Sequence, residues 1–137
     1  MIIRHDSRDE RYRTPYGAVS PGTDITLSIE FEDCTPEGVS LIFFDERTGR
    51  REHIGMHESL LKSDAGGIIR RYEASFDSGS RTGLLWYWFA AEFTDEYDVR
   101  RIFFYGNNPE RLGGEGAVYF DYEMTEPDVP AYQITVY

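Results

Sequence analysis

The sequence predicts an all-β protein folded as an antiparallel β-sandwich, and three observations lead there. Over no long window do helix formers recur at a 3.6-residue period, whereas Gly (13), Tyr (10) and Phe (9) are plentiful; that is a composition of strands and turns. Turn signals recur at roughly the 8 to 12 residue spacing of a sandwich. The third observation is the stretch Gly83-Leu84-Leu85-Trp86-Tyr87-Trp88-Phe89-Ala90-Ala91-Glu92-Phe93, which has no Pro, no internal Gly and several aromatics in a row, as a strand in the middle of a sheet does. Alternation puts Leu85, Tyr87, Phe89, Ala91 and Phe93 on one face and Leu84, Trp86, Trp88, Ala90 and Glu92 on the other. A carboxylate resists burial without a partner, so the Glu92 face is set outward. Trp86 and Trp88 then face something other than the core.

The chain of 137 residues reads as a single domain, residues 1–137, long enough to bury about two thirds of its unfolded surface. Residues 2–5 form a short first strand, followed by a charged stretch over 6–13. Thr14-Pro15-Tyr16-Gly17 and Ser20-Pro21-Gly22-Thr23 are turns, with Pro presetting φ and Gly open to positive φ. Residues 24–31 alternate cleanly, Ile25, Leu27, Ile29 and Phe31 against Thr26, Ser28 and Glu30, which makes a half-buried strand. A loop over 33–38 leads into a strand at 39–45. Glu46-Arg47-Thr48-Gly49 then turns the chain back into a strand at 50–56. Residues 58–62 form a helical turn at most. Asp64-Ala65-Gly66-Gly67 breaks the chain before a strand at 68–76, with Tyr72, Ala74 and Phe76 on one face. After the turn at 77–80 comes the organising strand. An acidic turn over 94–98 joins it to a pairing strand at 99–105. Residues 106–116 are a long loop, and strands at 117–122 and 131–137 close the chain, separated by Glu126-Pro127-Asp128-Val129-Pro130.

The formal net charge of −11 excludes nucleic acid and anionic membrane as partners, because both are bound through Lys and Arg patches; uncharged partners such as sugars are not disfavoured. Cys34 is the only cysteine, so no intramolecular disulfide is available. The opening residues hold no apolar run of signal-peptide or membrane-span length. A cytoplasmic location is the expectation.

Three segments occur together in a familiar order. They are His5-Asp6-Ser7 with Tyr12-Arg13-Thr14-Pro15-Tyr16-Gly17-Ala18-Val19 and Gly22-Thr23; Leu85-Trp86-Tyr87-Trp88-Phe89; and Tyr105-Gly106-Asn107-Asn108 leading to Gly113-Gly114-Glu115-Gly116. They resemble the N-terminal domain of α-amylase-family (family-13) glycoside hydrolases of the pullulanase, neopullulanase and cyclomaltodextrinase type, a domain grouped with the family-34 carbohydrate-binding modules. The resemblance runs nearly the whole chain, and residues 132–137 look like that domain's last strand. It implies an immunoglobulin-like sandwich that contacts the catalytic barrel of the same parent chain, binds α-glucan or maltooligosaccharide in some members, and helps form a homodimer in others. The catalytic carboxylates it implies lie in the barrel, which needs about 250 residues of alternating strands and helices. No catalytic residue, metal or cofactor is therefore expected in this chain.

The other constellations carry less chemistry. None of the 25 acidic residues is paired across a cleft by the sequence as glycoside hydrolysis requires. His53 and His57 have the i, i+4 spacing of a helical metal pair, but Gly55 sits between them and no further ligand is near. His5 reads as structural, bonded to Asp6 or Ser7, and Cys34 has no His or Asn partner. The run 112–117 lacks the Lys and the following helix of a phosphate loop. Asp95, Glu96 and Asp98 do not have the spacing of a calcium loop. Trp86 and Trp88 remain: exposed aromatics in a row offer planes for the C–H faces of sugars, while aromatics on a second sheet face also serve as core or inter-domain packing. Tyr105, Tyr119 and Asn107 join them as carbohydrate-binding or interface candidates, Asn107 through its amide. A stand-alone immunoglobulin-like interaction domain is the alternative.

Overall fold

The structure is a computed structural model that describes residues 2–64, 67–110, 114–120 and 128–137. It is an antiparallel sandwich of two sheets, as the sequence predicts. The first sheet contains β1 (Ile2–Arg4), β2 (Arg13–Thr14), β3 (Asp24–Glu32), β6 (His57–Asp64) and β7 (Gly67–Asp77), in the order β1-β3-β7-β6, with β2 also on β3. The second contains β4 (Gly38–Asp45), β5 (Arg50–Gly55), β8 (Gly83–Thr94), β9 (Arg100–Gly106), β10 (Ala117–Phe120) and β11 (Tyr132–Val136), in the order β10-β9-β8-β4-β5, with β11 also on β8.

β3 and β8 form the two halves of the core, and period 2 explains both. Ile25, Leu27, Ile29 and Phe31 of β3 are buried against Leu85, Tyr87, Phe89 and Ala91 of β8 in one cluster, the faces that alternation assigns. β8 pairs with β4 over Leu85–Glu92 on one side. On its other side it pairs first with β11, from Gly83 to Tyr87, and then with β9, from Phe89 to Thr94. Trp88 sits where one partner gives way to the other. The free edge of β11 is closed in turn: Val19 N–H donates to Thr135 O at 2.9 Å and Tyr137 N–H donates to Val19 O at 2.9 Å. The chain after β2 thus crosses from the first sheet to the edge of the second.

One expectation is corrected, and the doubt about a helical His53/His57 pair is upheld. Residues 58–62 are not a helical turn but part of β6, paired with β7 and irregular between Glu58 and Leu60; the pairing partner, which local propensity does not register, decides the conformation. His53 and His57 are not on one helix, because β5 and β6 belong to different sheets and the chain changes sheet between the two residues. In the acidic turn, the Asp95 carboxylate accepts the N–H groups of Tyr97 and Val99, each at 2.9 Å, and these bonds, Val99's foremost, hold its pKa below the ordinary value. Of the predicted loops and strands, residues 65–66, 111–113 and 121–127 lie outside the described residues.

Candidate functional site

The outer face of β8 holds both tryptophans, but their neighbours treat them differently. Trp88 is only 3% exposed, packed with Ile42, Phe104 and Val129, and the Arg51 guanidinium carbon lies 5.5 Å from its ring centroid. At that exposure it offers no platform, which corrects its candidacy as a sugar-binding plane while its place on the outer face of β8 stands. The reason is the segment before β11, whose Val129 folds over the sheet. Trp86, two residues earlier, stays half-buried. Its register partner Gln133 on β11 is a flat neighbour rather than a roof.

Tyr105 is corrected as well. It is 3% exposed on the core side of β9. Its hydroxyl donates to His5 O at 3.2 Å and accepts the Gly116 N–H at 3.0 Å. Gly116 has to be glycine here: a Cβ would stand 2.1 Å from Gly106 O and 2.1 Å from the Tyr132 hydroxyl. Beside this clasp, Ser7 N–H donates to Gly114 O at 3.0 Å and Gly114 N–H donates to Ser7 Oγ at 2.9 Å. Gly114 has a φ of 82°, the positive value expected of a turn glycine. Tyr119 is half-buried against the Trp88 cluster, and its hydroxyl donates to Asn107 O at 2.8 Å. It supports the Asn107 loop rather than meeting solvent as a platform.

His5 is a structural group, but its partners are not Asp6 or Ser7. Its Nδ1 lies 2.7 Å from Ser28 O and its Nε2 lies 2.9 Å from the Tyr87 hydroxyl. A carbonyl can only accept, so Nδ1 carries the proton and Nε2 accepts from Tyr87. Burial, the largest cause, pushes its pKa down to about 3, and the nearby Arg13 and Arg71 charges add to this. Burial also raises the Tyr87 and Tyr132 hydroxyls well above the ordinary phenol range.

Trp86 and Asn107 come together in one open cavity of about 490 Å³. β11 and the residue before it contribute Ala131, Tyr132 and Gln133 to its wall, the crossing segment after β2 contributes Tyr16 and Gly17, β2 contributes Arg13, and the loop after β1 contributes Ser7 and Arg8. Tyr16 is 52% exposed. Sequence reasoning placed it in a turn without drawing the consequence that a large aromatic in a Pro-Tyr-Gly turn is held out to solvent. A second concavity of about 570 Å³ lies on the outer face of the second sheet, over Ile42, His53, Ala90, Glu92, Ile102 and Phe104; none of the sequence-predicted site residues lines it. Among the described residues, no group of three or more His, Cys, Asp or Glu side chains is placed to hold a metal ion.

No protein-family model matches the chain. It is 27% identical over 135 residues to an amylopullulanase of Thermoanaerobacter thermohydrosulfuricus, covering 98% of this chain and 8% of that protein. It is 28% identical over 130 residues to an amylopullulanase of Thermoanaerobacterium saccharolyticum, covering 92% of this chain and 10% of that protein. The chain thus spans a tenth or less of these curated relatives. Among solved structures, a cyclomaltodextrinase superposes on 97% of this chain and 19% of its own with a TM-score of 0.57 at 12% identity, a likeness of fold. The chain is a homologue of a segment of the amylopullulanases, folded as part of a cyclomaltodextrinase is, which fits an N-terminal domain of an α-amylase-family enzyme.

Proposed function

We propose that this chain is a non-catalytic accessory domain of an α-amylase-type hydrolase acting on α-glucans, and that the Trp86 cavity is where it holds a glucan chain. The observation that carries the reading is the combination in one open cavity of two aromatic planes, Trp86 and Tyr16, with the side-chain amides of Asn107 and Gln133. Aromatic planes suit the C–H faces of sugar rings, and amides donate to and accept from hydroxyls. A cavity of this volume fits within the usual range of small-ligand sites, enough for a short maltooligosaccharide. The small share of each relative that the chain spans supports a catalytic barrel elsewhere in the same parent chain. The concavity over Ile42, Ala90, Ile102 and Phe104, with His53 and Glu92 also in its lining, supports docking on that barrel, or on a second copy in a dimeric parent.

The test is a titration of the chain with maltotriose and maltoheptaose, followed by tryptophan fluorescence and by the indole N–H resonances. The Trp86 resonance should shift and that of Trp88 should not. Trp86→Ala should weaken binding at least about tenfold, equivalent to about 1.4 kcal/mol. Absence of any response at millimolar sugar refutes the glucan-binding part.

A further inference from the structure

Arg13 is a buried cation that no carboxylate among the described residues pairs with directly. It stands opposite Leu27 on β3, so its side chain enters the gap between the sheets, where it is 7% exposed. Nη1 donates to Gln133 O at 3.1 Å and Nη2 donates to Gly17 O at 3.2 Å. The guanidinium carbon lies 5.9 Å from the Tyr87 ring centroid. Nε is buried and has no acceptor among the described residues. All of these partners are neutral. Arg47 and Arg71, by contrast, each hold a carboxylate, Asp45 at 2.8 Å and Glu30 at 3.3 Å. A guanidinium offers five N–H groups, and a charge withdrawn from water is costly unless an opposite charge accompanies it. In a chain of net charge −11 acidic side chains are abundant, yet none of the described ones is paired with this guanidinium. The side chain forms part of the wall of the Trp86 cavity, and Arg8, which is exposed, stands on the same wall.

We propose that the cavity prefers a saccharide carrying an oxyanion, a phosphate ester or a carboxylate, with the sugar on the Trp86 and Tyr16 planes and the anionic oxygens toward Arg13 and Arg8. This rests on the reading of the cavity as a saccharide site. A neutral sugar leaves the buried charge unbalanced, whereas an oxyanion at the cavity wall offsets it. An extended polyanion is disfavoured by the chain's net charge of −11, which weighs less on a small ligand with a single charged group.

The probes are glucose, glucose 6-phosphate, glucuronate and inorganic phosphate, each titrated into the chain and followed by the Trp86 indole resonance. Glucose 6-phosphate or glucuronate should bind at least tenfold more tightly than glucose, and that advantage should shrink as salt is raised. The phosphate ester should also bind more tightly above its second pKa, near 6, whereas glucuronate should show no such step, which separates the two sources of the oxyanion. Arg13→Lys, which keeps the charge but loses the planar fork, and Arg8→Gln should each reduce the advantage, read as the ratio of glucose 6-phosphate to glucose affinity, at least threefold. Arg8→Gln is the decisive variant if Arg13→Lys fails to fold. Equal binding of glucose and its charged derivatives overturns the inference and leaves the saccharide reading standing. Binding of inorganic phosphate as tight as that of glucose 6-phosphate overturns the inference as well, because the sugar then contributes nothing. Silence from every probe and from maltotriose overturns both readings.

Discussion

His5 gives the sharpest quantitative test of how this sandwich is held together. It is fully buried, ringed by Tyr12, Tyr87, Phe89 and Tyr132 at centroid distances of 6.0, 5.5, 4.7 and 5.1 Å, and it links the two sheets by bonding Ser28 on β3 and Tyr87 on β8. Its pKa falls from 6.5 to about 3 on folding, so between those values the unfolded chain binds a proton that the folded chain does not. Stability therefore rises with pH through this window: the contribution is complete above pH 6.5 and is lost as pH falls toward 3. At pH 5 the loss is about 2 kcal/mol, and across the whole window about 5 kcal/mol, a large share of the roughly 5 to 15 kcal/mol of a typical domain. Urea unfolding at pH 7, 6 and 5 measures it, with His5→Gln as the control. The variant will be less stable at every pH, but its stability should fall about 2 kcal/mol less than that of the wild type between pH 7 and pH 5. The other two histidines are common to both proteins and cancel. Parallel pH profiles, agreeing within about 0.5 kcal/mol, or a His5 ring resonance that titrates near pH 6 in the folded chain, would refute the reasoning.

The two tryptophans should separate by stability. Trp88→Ala, emptying a site closed by Ile42, Phe104 and Val129, should cost about 3 to 5 kcal/mol in chemical denaturation, and Trp86→Ala less than half of that. Gly116→Ala forces a Cβ against the Gly106 carbonyl and the Tyr132 hydroxyl and should cost about 1 to 3 kcal/mol, seen as a lower urea midpoint with an unchanged slope. Asp45→Asn breaks the two-point contact with Arg47, at 2.8 and 2.9 Å, and should cost about 1 to 3 kcal/mol at pH 7. Because Arg47 holds the Asp45 carboxyl below its ordinary 3.8, this contribution is present above that pH and fades below it. Wild type and variant should therefore converge in stability under acid.

The architecture was legible where a single strand carries its own pattern. β3 and β8 declare their buried faces by alternation alone, because each has one face turned to the core and period 2 leaves only two choices. Alternation also put Trp86 and Trp88 on one face, and it could go no further. Whether a residue on that face is open depends on which partner covers it. At Trp88 that cover comes from Val129, some forty residues away in the chain, and no local signal records it. Tyr105 was misjudged for a related reason. As the last aromatic of its strand it reads as a binding candidate, but its hydroxyl is held by the carbonyl of His5, one hundred residues away. His5 itself looks like a partner for its sequence neighbours, whereas β1, β3 and β8 bring Ser28 and Tyr87 to it. β6 was missed because its alternation is broken beside Ser59 and its pairing comes from β7.

The three segments that carried the family resemblance meet in space, and the structure divides their residues between two tasks. His5, Tyr87, Tyr105 and Gly116 join the two sheets and pin the 114–116 loop; none of them lines the cavity. Ser7, Tyr16, Gly17, Trp86 and Asn107 line the cavity, and only the Ser7 clasp on Gly114 also serves the loop. Arg13 belongs to both groups, since it ties β2 to the edge of β11 and also walls the cavity. A resemblance resting on all three segments therefore transmits the fold more securely than the ligand, because the joining residues are fixed by packing while Trp86 and Tyr16 are not. A variant carrying Trp86→Ala and Tyr16→Ala should keep the pH dependence set by His5 and lose the sugar. If instead the fold and its pH profile collapse with those two residues, the division is wrong, and the cavity is part of the structural core.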